Sequence, residues 1–210
     1  LLFSHSATAV AIGKLDDDGL VWRVAPADSF QSDTLAYYVV EHIARTKPQG
    51  AKLAVVHTTD PYGQGLVDEF GARLQVYQQG WDPRPRITIE DIPYDSHDEA
   101  GPAQAVQALD AAAPDVVLLV GFAEAADILG TVKTDEQLRQ AAFFLSDSVR
   151  TERLRTLFSS PEQVPDTVFG VNAATGVTAY DAVARRYLGQ PGGSAAPIFT
   201  NLPSDETYLL

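Results

Sequence analysis

A short apolar strand followed directly by a proline-initiated helix is the feature that most restricts the fold of this sequence. Residues 52–57 form an apolar run that is β-branched at Val55 and Val56, as expected for a strand buried on both faces. Asp60 is a favourable N-cap, and Pro61 follows at the first helical position, where proline is tolerated. Such a strand–turn–helix unit is typical of parallel α/β sheets.

Strand-like and helix-like segments alternate along the rest of the chain. Further strands are predicted at 22–25, 86–92, 115–120, 143–145 and 167–173, and helices at 34–45, 102–113, 124–133, 151–158 and 179–188. This βαβα order favours a parallel sheet with helices on both faces. The predicted fold class is therefore α/β.

Tyr62 is the first candidate binding residue. It follows Pro61 in the first turn of the predicted helix, at the carboxyl end of a predicted strand. Open α/β folds bind their ligands at this edge of the sheet. An aromatic ring in this position can cover an apolar group while its hydroxyl makes a hydrogen bond. The alternative is an ordinary core or surface tyrosine.

Composition excludes several classes of function. The formal net charge is -13 and the sequence pI is near 4.5, so nucleic acid and anionic membrane surfaces are not expected partners. No apolar run approaches the roughly 20 residues of a transmembrane helix, and the chain is not expected to span a membrane. Cysteine is absent, which excludes disulfides and thiolate catalysis.

Common catalytic and metal-binding patterns are also missing. The sequence contains no G-x-S-x-G, no H-E-x-x-H and no G-x-x-x-x-G-K. Its four histidines share no metal-ligand spacing. No catalytic residue, metal site or cofactor is therefore predicted. His57, at the end of a buried strand, is open to a catalytic interpretation, but a structural role is favoured.

Four segments together resemble one protein family. They are SHSAT at 4–8, WRVAPADSFQ at 22–31, DPYGQG at 60–65 and FFLSD at 143–147. They are similar to an S-x-x-A-T loop, an F-R-x-x-P-x-D-x-x-Q crossover, a D-x-Y-G-x-G turn and a strand that ends at an acidic binding position. Their order and spacing resemble the type I periplasmic binding proteins of ABC importers, in the branched-chain amino acid (leucine/isoleucine/valine-binding protein) family.

The resemblance implies two doubly wound parallel-sheet lobes, of which lobe I is incomplete here. Residues 1–27 are expected to form part of lobe I and the first crossover, 28–171 lobe II, and 172–210 a partial return to lobe I. The chain starts within a strand-like Leu1-Leu2-Phe3 and lacks an initiator Met. We therefore expect it to be a fragment of a larger protein.

The same resemblance implies a set of ligand-binding residues. Ser6 and Thr8 match positions that hold the ligand's α-carboxylate, and Tyr62 and Phe122 match aromatic residues that cover it. Asp147 matches the carboxylate that pairs with the ligand's ammonium group, which a closed cleft needs because an unpaired buried charge is costly. The alternatives are an ordinary capping role for Ser6 and Thr8, and an N-cap role for Asp147 in the helix near residue 151.

The function implied is that of a solute-binding protein without enzymatic activity. It would bind an amino acid or a related small molecule by closure of two lobes, with ABC permease subunits as partners. Its location would be periplasmic or otherwise extracytoplasmic, and a lipid anchor on the full-length protein is left open. Two alternatives also stay open: a ligand-sensing receptor domain of the same fold, and an α/β enzyme that uses Asp147 or His57.

Overall fold

A computed structural model describes residues 1–4, 6–23, 25–158 and 167–171. Its strands are β1 (Leu2–Ser4), β2 (Val21–Arg23), β3 (Ala51–Thr58), β4 (Ile87–Tyr94), β5 (Val116–Val120), β6 (Ala142–Leu145) and β7 (Val168–Gly170). Its α-helices are α1 (Asp28–Thr46), α2 (Pro61–Gln79), α3 (Gly101–Ala112), α4 (Ala125–Val132) and α5 (Glu152–Leu157). Short 3-10 helices cover Val10–Lys14, Leu138–Gln140 and Asp147–Val149.

The strands form two parallel sheets. The larger has the order β4-β3-β5-β6-β7, and the smaller pairs β1 with β2. The chain passes from β3 to β4 on one side and then crosses to β5 on the other, so the strand order reverses at β3. The α/β prediction is confirmed.

The core lies on both faces of the larger sheet, which explains the continuous apolar run in β3. Leu53 and Val55 pack with the buried residues of α1 and α2. Ala54 and Val56 point to the other face and pack with those of α3 and α4. Successive side chains of a strand point to opposite faces. In a strand covered by helices on both sides, nearly every side chain is therefore buried, and the sequence is mainly apolar.

Helix α1 begins at Asp28 rather than at residue 34. Its first turns bury the polar side chains of Asp28 and Ser32, while Phe30 is 71% exposed. Apolar residues at helical spacing start only at Leu35, so the hydrophobic pattern of the sequence does not predict the first turns of the helix. The other predicted strands and helices in the described part agree with the structure to within a few residues. The predicted helix at 179–188 and the expected lobe I return at 172–210 lie outside the described residues.

The smaller sheet confirms a strand at the beginning of the chain. Leu2 pairs with Val21 and Phe3 with Trp22, and the Phe3 and Trp22 rings lie 6.3 Å apart. The side chains of Leu2, Phe3 and Trp22 are all exposed. In the described residues, no helix is both long enough and apolar enough to cross a membrane.

Gly63 allows α2 to start directly against the end of β3. The Asp60 carboxylate accepts hydrogen bonds from the Gly63 amide at 2.8 Å and from the Thr58 hydroxyl at 3.0 Å, which confirms Asp60 as the N-cap. A Cβ at Gly63 would overlap the Thr58 carbonyl and hydroxyl oxygens. Around Gly65, two residues later, a Cβ would meet no atom within 4 Å.

Alanine substitutions at these two glycines should therefore have opposite effects on stability. Gly63→Ala forces a backbone shift at the end of β3 and should lower the free energy of unfolding by roughly 1–3 kcal/mol. Gly65→Ala fills open space within the same helix and should raise it by up to about 1 kcal/mol. Urea unfolding of the two variants measures both changes. Equal stabilities would contradict this packing.

Candidate functional site

Three turns at the carboxyl edge of the larger sheet carry the candidate site. Tyr62 lies after β3, Phe122 after β5 and Asp147 after β6, and these three strands are neighbours in the sheet. Parallel strands bring such turns together at one edge. The Tyr62 side chain contacts both Phe122 and Asp147.

Asp147 is anchored through one of its two carboxylate oxygens. Its Oδ1 accepts hydrogen bonds from Tyr62 Oη at 3.2 Å, Gln31 Nε2 at 3.1 Å and Ser148 Oγ at 3.2 Å. None of these bonds involves Oδ2. The carboxylate is thus held in one orientation, and among the described residues no hydrogen bond to Oδ2 accompanies these three.

The alternative N-cap role of Asp147 in the next α-helix is wrong. The N-cap of α5 is Thr151, whose hydroxyl accepts a hydrogen bond from the Leu154 amide at 3.4 Å. Asp147 instead begins the preceding 3-10 helix. Its carboxylate is therefore not used to cap α5.

Tyr62 and Phe122 form an aromatic wall beside this carboxylate. Their ring centroids are 5.0 Å apart, and the rings are tilted by 37°. Burial raises the pKa of the Tyr62 hydroxyl, and the Asp147 carboxylate raises it further. Tyr62 therefore stays neutral at physiological pH and donates a hydrogen bond to Asp147 Oδ1. The wall offers an apolar surface next to a negative charge.

Glu124 determines the turn that carries Phe122. Its Oε1 accepts hydrogen bonds from the Phe122 amide and from the Tyr94 hydroxyl, both at 2.9 Å. A Cβ at Gly121 would overlap the Tyr94 hydroxyl, so the turn needs a glycine there. These contacts fix the backbone from which the Phe122 ring projects.

Gln31 connects α1 to this site and was not among the predicted site residues. Its Nε2 donates to Asp28 Oδ1 at 3.2 Å and to Asp147 Oδ1 at 3.1 Å, while its Oε1 accepts from the Asp147 amide at 2.7 Å. The available signal was the D-x-x-Q spacing in WRVAPADSFQ, because residues three positions apart share a helix face.

Asp28, an acid, is the second residue of the site that was not predicted. It is 1% exposed, and its Oδ2 is buried with no hydrogen-bond partner in the described part of the chain. Burial raises the pKa of Asp28 to about 6, and the negative charge of Asp147 adds to the rise. The nearby Thr8 side chain, the hydrogen bond from Gln31 and the positive charge of Arg23 act in the opposite direction on this pKa.

The loop predicted to bind a carboxylate reaches the site through Thr8. The Thr8 carbonyl accepts hydrogen bonds from the Asp28 amide at 2.9 Å and from Arg23 Nη1 at 3.1 Å. Thr8 thereby joins the network that continues through Gln31 to Asp147. Ser6 lies in the same loop with its side chain exposed, and none of these contacts includes it.

The surroundings of His57 support a structural role. Its ring is buried between two strands, with Nδ1 2.9 Å from the Thr58 carbonyl oxygen and Nε2 3.1 Å from Asp91 Oδ1. Asp91 belongs to β4, the neighbour of β3. Both ring nitrogens are therefore engaged, and the contact of Nε2 with Asp91 links β3 to β4.

Comparison with solved structures identifies the architecture. A fatty acid ABC transporter substrate-binding protein from Thermomonospora curvata is similar with a TM-score of 0.55 and 15% identity, over 80% of this chain and 41% of that one. A protein assigned to branched-chain amino acid ABC transport in Rhodospirillum rubrum is similar with a TM-score of 0.53 and 13% identity, over 78% of this chain and 45% of that one. The chain has the type I periplasmic binding protein fold.

The similarity is one of structure and covers part of each relative. This chain spans less than half the length of either binding protein, consistent with one incomplete lobe. No protein-family model and no curated protein matches the sequence. At identities of 13–15%, the type I periplasmic binding protein fold is what the comparison shows.

The buried Asp28 predicts a specific dependence of stability on pH. Because its pKa rises from 3.8 to about 6 on folding, its contribution to stability is fully present below pH 3.8 and is lost as the pH rises through about 6. Asp28→Asn, which cannot ionise, should therefore raise the free energy of unfolding at pH 7.5 by roughly 2–3 kcal/mol. At pH 4 the difference from the parent chain should be small.

Urea unfolding from pH 4 to pH 8 measures this effect. Asp68→Asn, at an exposed position of α2, is the control for the loss of one negative charge. A parallel pH profile for the parent chain and Asp28→Asn would show that the buried carboxyl has no energetic consequence.

Proposed function

We propose that this chain is part of an extracytoplasmic solute-binding protein of an ABC importer, within the branched-chain amino acid-binding family. The observation that carries the proposal is the orientation of Asp147 at the carboxyl edge. Three donors hold its Oδ1, and one of them, Tyr62, also forms the aromatic wall with Phe122, which would leave Oδ2 to face a ligand. This combination suits a small molecule with a positive charge next to an apolar group.

An amino acid meets these requirements. Its ammonium group pairs with Asp147 Oδ2, and its side chain lies against Tyr62 and Phe122. In this proposal Ser6 and Thr8 hold the α-carboxylate from the loop opposite. A hydroxyl and backbone amides suit a carboxylate without requiring a full cation. Each charged end of the ligand then has a partner of suitable chemistry.

A fatty acid is the rival ligand, since one structural relative is described as a fatty acid binder. Its alkyl chain would also pack against the aromatic wall. Its only charge is negative, however, and two carboxylates, Asp28 and Asp147, meet at the Gln31 amide. Placing a third carboxylate beside them is electrostatically unfavourable. The charge of the site therefore favours a ligand with an ammonium group.

The proposed protein acts by closure and catalyses no reaction. Residues 1–27 would belong to lobe I and the first crossover, 28–171 to lobe II, and 172–210 to the return into lobe I. Ligand binding would shift the equilibrium between open and closed arrangements of the lobes. ABC permease subunits would recognise the closed protein on the outer side of the membrane.

A binding assay with single-residue variants tests the proposal. A panel of the twenty common L-amino acids is screened by thermal shift, and the best ligand is measured by isothermal titration calorimetry. Asp147→Asn should weaken binding at least about tenfold, or 1.4 kcal/mol, because it removes the charge partner of the ammonium. Asp127→Asn on α4, which removes a carboxylate paired with Arg153 of α5, is the matched control.

Two results would count against the proposal. Binding of fatty acids but of no amino acid would assign the site to the rival ligand. If Asp147→Asn and Asp127→Asn weaken amino acid binding equally, Asp147 does not contact the ligand.

A further inference from the structure

Asp28 is a buried acid that the proposed ligand contacts do not use. Its Oδ2 is enclosed and has no hydrogen-bond partner in the described residues. A buried carboxylate oxygen without a donor is costly when it is charged, and protonation removes that cost. Asp28 is therefore the position in this network where a proton is held most readily.

Gln31 forms hydrogen bonds to both Asp28 and Asp147 and so holds the two carboxyl groups close together. One amide nitrogen donates to Oδ1 of both carboxyl groups, at 3.2 Å to Asp28 and 3.1 Å to Asp147. The amide oxygen is occupied by the Asp147 backbone N–H at 2.7 Å. Turning the amide over would put its oxygen against two acids, so its orientation is determined. Like charges so placed disfavour each other's ionised form.

Besides Asp147, the groups near Asp28 are the permanently charged Arg23 and the neutral Tyr62. Arg23 on β2 lowers the pKa of Asp28, and its Nη1 is bound to the carbonyls of Thr8 and Ala9. Tyr62 on α2 is neutral, because burial raises the pKa of its hydroxyl. Asp147 is the negative charge that raises the pKa of Asp28. It is also the charge that the proposed ligand neutralises.

Building on the proposed function, we propose that Asp28 is a positioning residue that couples ligand binding to proton release. At mildly acidic pH, Asp28 in the empty cleft carries a proton on its carboxyl group, beside the Asp147 carboxylate. When a ligand ammonium pairs with Asp147, the repulsion on Asp28 is removed, its O–H bond breaks, and the proton passes to solvent as the carboxylate forms. No other reactant is needed.

Thermodynamic reciprocity gives the direction of the pH effect. If ligand binding releases a proton, then acidification weakens ligand binding by the same coupling. The pKa of Asp28, about 6, puts the affected range near pH 5–7. The ligand would be held more tightly at neutral than at acidic pH, and the loss is limited to a factor of ten per pH unit for one proton.

The coupling is tested first on the ligand-free chain. The ¹³C-carboxyl resonance of Asp28 is titrated by NMR in the parent chain, in Asp147→Asn and in the control Asp127→Asn. The midpoint for Asp28 should lie near 6 in the parent chain and fall in Asp147→Asn only. An Asp28 midpoint that Asp147→Asn leaves unchanged would overturn the coupling. If Asp147→Asn does not fold, the Asp147 resonance of the parent chain must itself show a second inflection at the Asp28 midpoint.

The second arm uses the amino acid from the panel that binds most tightly. Its affinity for the parent chain should fall about three- to tenfold from pH 7.5 to pH 5.0, with protons released on binding in the lower part of this range. Asp28→Asn should bind with nearly the same affinity at both pH values. An equal pH dependence in the two chains would overturn the proposal. If no amino acid binds, the proposed function fails, and the ligand-free titration still decides whether the two acids are coupled.

Discussion

The parallel pairing of β3 with β4 on one side and β5 on the other is the constraint on which the site depends. It makes β3 the point where the strand order reverses, and α/β sheets bind ligands at such points. The turns after β3, β5 and β6 consequently meet at one edge. Tyr62, Phe122 and Asp147 come from these three turns and share one network of contacts.

Within that frame, the side-chain amide of Gln31 connects the first turns of α1 to the carboxyl edge of the larger sheet. It orients Asp147 through two hydrogen bonds and shares its nitrogen with Asp28. When both acids are ionised, this arrangement is unfavourable, because the two negative charges repel each other and Asp28 is buried. Perturbed acids are concentrated at functional sites, in keeping with the proposed role of Asp28.

Sequence patterns predicted the parallel sheet well, because β3 and β5 are buried on both faces and read as unbroken apolar runs. The start of α1 escaped prediction because its inward positions are polar, at Asp28 and Ser32. The carboxylate network escaped for another reason. Gln31 and Asp147 are 116 positions apart in the sequence, and the periodic spacing of apolar residues cannot predict a contact between such distant positions. Tyr62 was a candidate from its place at the sheet edge, and Phe122 and Asp147 came from family resemblance; in the structure Tyr62 contacts both of them.

A crystal structure of this chain with its best-binding amino acid would test the central claim most directly. The account predicts the ligand nitrogen at about 2.7–3.2 Å from Asp147 Oδ2, with the ligand side chain against the rings of Tyr62 and Phe122. The Gln31 amide should keep its bonds to both acids. A ligand bound away from this edge, or one that turns a carboxylate toward Asp147, would contradict the account.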